Sequence, residues 1–197
     1  MLKDYLKDKN LILASASPRR QELLKSLEIP FEVRLKHIDE HYPKNLSHSA
    51  ISDYLAKLKS NAFVDELAPQ DILITSDTIV WDNNTALGKP RSKENAVQML
   101  LNLSDDTHEV ITSVCLKTID REIVFHSTTK VTFKTLSQEE IYFYVHHFNP
   151  MDKAGAYGIQ DWIGQIGVTK IEGSYYNVMG FHIDKIYTQL LKFSKEC

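Results

Sequence analysis

Short apolar runs and helical stretches alternate along this chain from near its start, and that alternation limits the folds open to it. Leu11-Ile12-Leu13-Ala14 is a short apolar run that predicts a buried strand. Ser17-Pro18 follows as a helix start, the hydroxyl capping and the proline at the first helical position. Leu23, Leu24 and Leu27 mark one helical face, and Ile29-Pro30 ends it. Phe31 to Leu35 predicts a second strand. Ile51, Tyr54, Leu55, Leu58 and Ala62 recur at helical spacing and predict an amphipathic helix over 48–66, with Lys59 beside the stripe.

The pattern continues to the C-terminus. Asp71 to Ser76 reads as a strand leading into Asp77, Ile79-Val80-Trp81 extends it, and Asp82-Asn83-Asn84 turns back through Ala86-Leu87 to Gly88-Lys89-Pro90. Ser92 caps a helix through Leu103. The β-branched runs 108–118 and 123–133, joined at Ile119-Asp120-Arg121, predict a long antiparallel hairpin. Ser137-Gln138-Glu139-Glu140 is a capping-box pattern, and a last helix uses Ile183, Ile186, Tyr187, Leu190 and Leu191. No repeat or biased linker divides the chain. The expectation is one α/β domain over 1–197, a mixed sheet with flanking helices and two lobes around a cleft.

Composition excludes several function classes. The 23 Lys+Arg against 26 Asp+Glu leave a net charge of −3, which argues against a protein that coats nucleic acid. No stretch approaches the roughly 20 apolar residues of a membrane helix, and the first eight residues carry two acids and no secretory apolar core. Cys115 and Cys197 form no CxxC pair, so a cytoplasmic, reduced setting is expected. The eight histidines show no metal-ligand spacing, and no Ser/His/Asp constellation is visible.

Several places could carry chemistry. Ser15, Ser17, Arg19 and Arg20 lie between a strand and a helix N-terminus, where free N–H groups and the helix dipole favour an anion, but the segment also reads as a plain capped helix with solvated arginines. Asp77, in Ser76-Asp77-Thr78, interrupts an apolar strand; a buried carboxylate needs a pairing partner, a hydrogen-bond set or a metal. A structural lysine partner is the alternative to a functional site. If Asp77 serves a functional site, Asp77→Asn should lose activity while stability holds or rises; if it is a structural salt bridge, the change should lower stability and leave activity largely intact. Glu40 is the best second carboxylate by composition, in a loop that could equally be a surface turn. Lys59 and Lys89 are weak signals singly, Lys89 being framed by Gly88 and Pro90, and 152–160 is a small-residue loop able to wrap a planar ligand or merely to connect.

Taken together, these segments resemble the Maf family of nucleoside triphosphate pyrophosphatases, once described as septum formation inhibitors. The resemblance runs in order through Ser15 to Arg20, Asp39-Glu40, Lys59, Ser76-Asp77-Thr78, Gly88-Lys89-Pro90, Asp152 to Gln160 and Gly173 to Gly180. It implies an elongated fold like that of inosine triphosphate pyrophosphatases, commonly a homodimer, and cleavage of a nucleoside triphosphate to monophosphate and pyrophosphate with a divalent cation, Mg²⁺ or Mn²⁺. It makes Asp77 the proton acceptor, with Glu40 or Asp77 holding the cation. Arg19, Arg20, Lys59 and Lys89 become the triphosphate's counter-charges. Arg19, Thr78 and Gln160 match positions associated with substrate choice, and Thr78 resembles the dTTP- and UTP-cleaving subgroup. The alternative is a non-catalytic nucleotide-sensing regulator of cell division. Two departures stand out: Asp161-Trp162 after Gln160, where small residues are common, and His182 after Phe181, where proline is common.

Overall fold

A computed structural model describes residues 1–195, so Cys197 lies outside the described residues. Seven strands form one mixed sheet in the order β2-β1-β3-β5-β6-β7, with β4 paired to β3. The chain divides into two compact units, residues 1–77, 112–127 and from Gly180 on, and residues 78–111 and 128–179.

The first unit opens with a short helix, α1 (Leu2–Tyr5), then β1 (Asn10–Leu13) and α2 (Pro18–Lys25). β1 lies between two parallel neighbours, β2 (Glu32–Val33) and the start of β3 (Asp71–Asp82), with Leu13 opposite Val33 on one side and Ile74 on the other. Leu11, Ile12, Leu13, Ile72, Leu73 and Ile74 are all buried, as strands covered on both faces require. β2 is shorter than the 31–35 run predicts. Both of its residues are exposed, and the Glu32 carboxylate pairs with Arg34, which in turn reaches Asp71 of β3 at 3.2 Å. The helix predicted over 48–66 is α3 (Ser49–Asn61) followed by a single 3₁₀ turn, Val64–Glu66. Its buried stripe is Ile51, Leu55 and Ala56, while Tyr54 is exposed. The last helix, α8 (Ile183–Lys195), buries Ile186, Leu190 and Phe193 in the same unit.

In the second unit β3 turns at Asn83 and Asn84 into β4 (Thr85–Leu87), pairing antiparallel with Val80 opposite Leu87. Both asparagines have positive φ, 44° and 59°, as a tight primed hairpin turn requires. α4 (Lys93–Leu103) starts at Ser92, whose hydroxyl accepts from the Asn95 N–H. β5 (Thr107–Lys117) and β6 (Glu122–Phe133) are the predicted hairpin, whose closed end, residues 112–127, belongs to the first unit; the Thr118 N–H donates there to the Arg121 carbonyl at 2.8 Å. α5 (Gln138–Phe148) carries the full capping box of Ser137 and Glu140. After it come α6 (Trp162–Gly167), β7 (Val168–Glu172), paired antiparallel to β6, and α7 (Tyr175–Val178). The core here is built from α4 and α5, with Val80, Leu100, Leu103, Val131, Phe133, Ile141, Tyr144 and Ile163 packed together.

Candidate active site

The turn from β1 into α2 is shaped by its own serines. Ser17 Oγ accepts from the Arg20 N–H at 3.5 Å, Ser15 Oγ accepts from the Ser17 N–H at 3.3 Å, and the Ser15 carbonyl accepts from Gln21 Nε2 at 3.0 Å. Arg20 reaches away from this turn. Its Nε donates to the Gly180 carbonyl at 2.9 Å and its Nη1 to the Ser76 carbonyl at 2.8 Å. Arg20 therefore ties the strand just before Asp77 to the chain just before α8. Its burial disfavours its charge, and the nearby Asp77 carboxylate supports it.

Asp77 closes the first unit at the middle of β3, its side chain only 8% exposed. The lysine on the flank of α3 supplies its partner. Lys59 Nζ, 14% exposed, donates to Asp77 Oδ1 at 2.6 Å and lies 3.1 Å from Glu40 Oε1. A helix residue, a loop residue and a strand residue thus meet at one ammonium. The buried Ser76 Oγ beside them has no hydrogen-bond partner. The first unit gathers Arg20, Glu40, Lys59 and Asp77 at this place. Both readings of Asp77 find support, because a structural lysine partner and a charged, functional cluster are here the same residues.

The position on which the Asp77 and Glu40 carboxylates converge is occupied by the Lys59 ammonium. Mg²⁺ is commonly held by one or two carboxylates and completes its shell with water and phosphate oxygens. Among the described residues no group of three or more His, Cys, Asp or Glu could hold an ion alone. A cation held by Glu40 and Asp77 would take its remaining ligands from water and a nucleotide.

Within the second unit, Thr78 is the half-buried residue that follows Asp77, Lys89 is exposed and Pro90 is buried. The 152–160 loop packs against this region: the Gly155 N–H donates to the Gly88 carbonyl at 3.0 Å. Gly155 has φ +67°, and a Cβ there would lie 2.7 Å from Val80 Cγ2, so only glycine lets the loop approach β3 this closely. At the far end of the loop stands a set that the sequence does not advertise. Tyr144 of α5 donates from its hydroxyl to Asp161 Oδ2 at 2.8 Å and accepts from the Gly158 N–H at 3.2 Å. Tyr144 carries no motif; only its place among the apolar residues of α5 marks it as buried. Cys115 is likewise buried, its thiol pushed up to about 11 by desolvation, which leaves it unreactive.

Residues 10–193 match the family described as Maf-like protein. The chain belongs to the Maf family. Among Maf relatives, a protein of Flavobacterium johnsoniae named dTTP/UTP pyrophosphatase is 55% identical over 96% of this chain and 98% of its own length. One of Flavobacterium psychrophilum with the same name is 52% identical over 97% and 98%. Among solved structures, the Ham1 protein of Staphylococcus aureus is similar with a TM-score of 0.47 and 17% identity, over 64% of this chain and 72% of that one.

Proposed function

We propose that this Maf chain acts as a single nucleotide pyrophosphatase domain that hydrolyses nucleoside triphosphates, dTTP and UTP foremost, to the monophosphate and pyrophosphate. The names of its relatives and the near-complete overlap with them support the reaction class. The observation that carries the reading is a carboxylate buried in the middle of a strand with a lysine and a second carboxylate converging on it.

Asp77 receives a proton from the attacking water, whose oxygen bonds to the α-phosphorus as the bond to the bridging oxygen breaks and pyrophosphate departs. Lys59, held on Oδ1, fixes the carboxylate's orientation. Arg20, anchored on two backbone carbonyls, sets the position of the strand that carries Asp77 and adds its charge. Arg19 and Lys89 are assigned to the triphosphate by family resemblance, as Thr78 and Gln160 are to the base. Ser15 and Ser17 shape the anion-facing turn. A divalent cation held by Glu40 and Asp77 would neutralise phosphate charge and assist the leaving group. A homodimer in the cytoplasm, with no nucleic-acid or membrane partner, belongs to the same proposal; no helix among the described residues is long and apolar enough to cross a membrane.

The test is a panel of nucleoside triphosphates with Mg²⁺ or Mn²⁺, scored separately for pyrophosphate and phosphate. We expect pyrophosphate, with dTTP and UTP ahead of ATP and GTP by at least about tenfold, or 1.4 kcal/mol. Tight nucleotide binding with no pyrophosphate would instead support a nucleotide-sensing regulator.

A further inference from the structure

The strand path of the sheet ends at β2 on one side and at β7 on the other, and the two ends are built differently. β2 is only two residues long, and its Glu32 carboxylate pairs with Arg34. Shortness and charge are common protections of an edge against unwanted pairing. β7 runs for five residues without proline, and among the described residues no strand pairs its outer side. Thr169, Lys170, Ile171 and Glu172 are all exposed. Both ends of the strand are pinned to β6. The Lys134 N–H donates to the Gly167 carbonyl at 2.8 Å, and Thr169 Oγ1 donates to the Thr132 carbonyl at 3.2 Å. At the other end the Ser174 N–H donates to Thr129 Oγ1 at 3.1 Å, and that hydroxyl donates to the Ser174 carbonyl at 3.2 Å. A strand already fixed in this way gives up little conformational freedom when it pairs.

The charges along β7 select one way for it to pair with itself. In the β6–β7 ladder Ile171 lies opposite Val131, Glu172 opposite Lys130 and Lys170 opposite Thr132. Opposite residues share a face of the sheet and successive ones alternate. Lys130, Lys170 and Glu172 therefore lie on one face, and Ile171 lies on the other with the buried Val131. Lys170 and Glu172 pair within the strand, and Lys170 first, then Lys130, hold the Glu172 carboxyl below the usual carboxylate range. A second β7 added antiparallel, about a two-fold axis normal to the sheet, is centred on a single residue. Centring on Lys170 sets lysine against lysine, and centring on Glu172 sets glutamate against glutamate; both are unfavourable. Centring on Ile171 sets each Lys170 opposite the second copy's Glu172 and brings the two isoleucines together. A charged row then alternates in sign across the junction: Lys130, Glu172, and the second copy's Lys170. Ile171 is 37% exposed, and Tyr175 and Tyr176 beyond it are 40% and 48% exposed, so apolar surface borders the charged row.

We propose that the free edge of β7 docks a second copy of this chain, pairing antiparallel about Ile171 so that Lys170 of each copy meets Glu172 of the other and the sheet continues across the two-fold axis. The inference rests on the homodimer included in the reading above and names the surface that forms it. The outward backbone N–H and C=O groups of the edge supply the ladder, and the alternating charges fix its register. Because these charges are exposed, they govern which edges meet and in what register more than how tightly they hold.

Sedimentation equilibrium of the full chain over a range of protein concentrations tests the edge, with melting temperature and pyrophosphate release measured on the same preparations. The variants are Lys170→Glu, Glu172→Lys and the exchange Lys170→Glu/Glu172→Lys. Each single reversal turns both attractive pairs across the axis into repulsive ones, so we expect the dimer dissociation constant to rise at least about tenfold. The exchange restores opposite charges in the same register and should return the constant to near the wild-type value. An equimolar mixture of the two single variants should dimerise better than either alone, because each supplies the charge that the other lacks. Raising the salt concentration should narrow all these differences by screening. Single variants that dimerise like the wild type, or a mixture no more dimeric than its components, overturn the β7 edge while leaving a homodimer through another face. Should one single variant fail to fold, the other decides alone. A monomeric wild type overturns the edge and the homodimer together, and pyrophosphate release from UTP or dTTP by that monomer leaves the enzymatic reading standing.

Discussion

At the scale of single residues, the pairing of Asp77 with Lys59 changes what its substitution should do. An uncompensated buried charge would leave Asp77→Asn neutral or stabilising, but the carboxylate has a partner at 2.6 Å. Asparagine keeps the shape and one acceptor, while Lys59 retains Glu40 at 3.1 Å. The expected stability loss is therefore modest, about 1–2 kcal/mol, or a few degrees in melting temperature. Hydrolysis should fall by about 10²-fold or more, as for a lost general base. Both quantities measured on one preparation, well below the melting transition, separate the roles. A variant that is less stable yet hydrolyses normally per folded molecule makes the pair structural only. Arg20 carries a further lesson at this scale. Its sequence neighbours suggest a phosphate ligand, yet two of its nitrogens are committed to the carbonyls of Ser76 and Gly180, so its first role is to brace the strand before Asp77.

Among the elements, the caps behave as their local chemistry dictates. Ser17, Ser92 and Ser137 each accept a backbone N–H at the helix start where the sequence places them. The misses are at β2 and the end of α3, where packing overrides pattern. Residues 31–35 are strand-like in composition, but an edge position with exposed side chains leaves only Glu32–Val33 in the ladder. The 152–160 loop was legible as a small-residue segment, without any sign of how it is held. Gly155→Ala tests that hold. A Cβ at φ +67° and 2.7 Å from Val80 Cγ2 strains the backbone and forces β3 and the loop apart. We expect a loss of at least about 1–2 kcal/mol in stability from backbone strain and overpacking, read as a lower melting temperature. A melting temperature within one degree of the wild type would show that the loop relaxes without help from glycine.

On the scale of the whole molecule, acid sensitivity should come from two buried histidines, one in each unit. His108 stacks on Phe133 and shares a hydrogen bond with the Tyr157 hydroxyl at 2.7 Å, while His182 sits edge-on to Phe125 with neither ring nitrogen bonded. Burial lowers both to about 4; Lys185, His126 and Arg20 push His182 further down against Asp184, and Asp106 opposes the shift at His108. A base whose folded pKa lies below its ordinary value of 6.5 takes up protons more readily unfolded. The stability is thus fully present above about pH 6.5 and is lost as the pH falls toward 4. At pH 5 the two together cost about 4 kcal/mol. Melting temperatures from pH 7 to pH 5 should fall, and His182→Leu, which replaces the ring by an apolar side chain of similar size, should flatten that fall. An identical slope in the variant would remove His182 from the account. His182 was legible as a departure after Phe181, whereas its burial was not. The same division runs through the protein. Apolar periodicity, β-branched runs and capping serines act between residues a few positions apart, so the sequence by itself determined the order of strands and helices, the strand interrupted by Asp77 and, through its motifs, the Maf family. Tertiary structure alone decided that Lys59 meets Asp77 across 18 positions, that Glu40 joins them, and that Tyr144 clasps the loop at Gly158 and Asp161. Those meetings depend on how whole elements pack, and no local pattern encodes the distance between side chains on different elements.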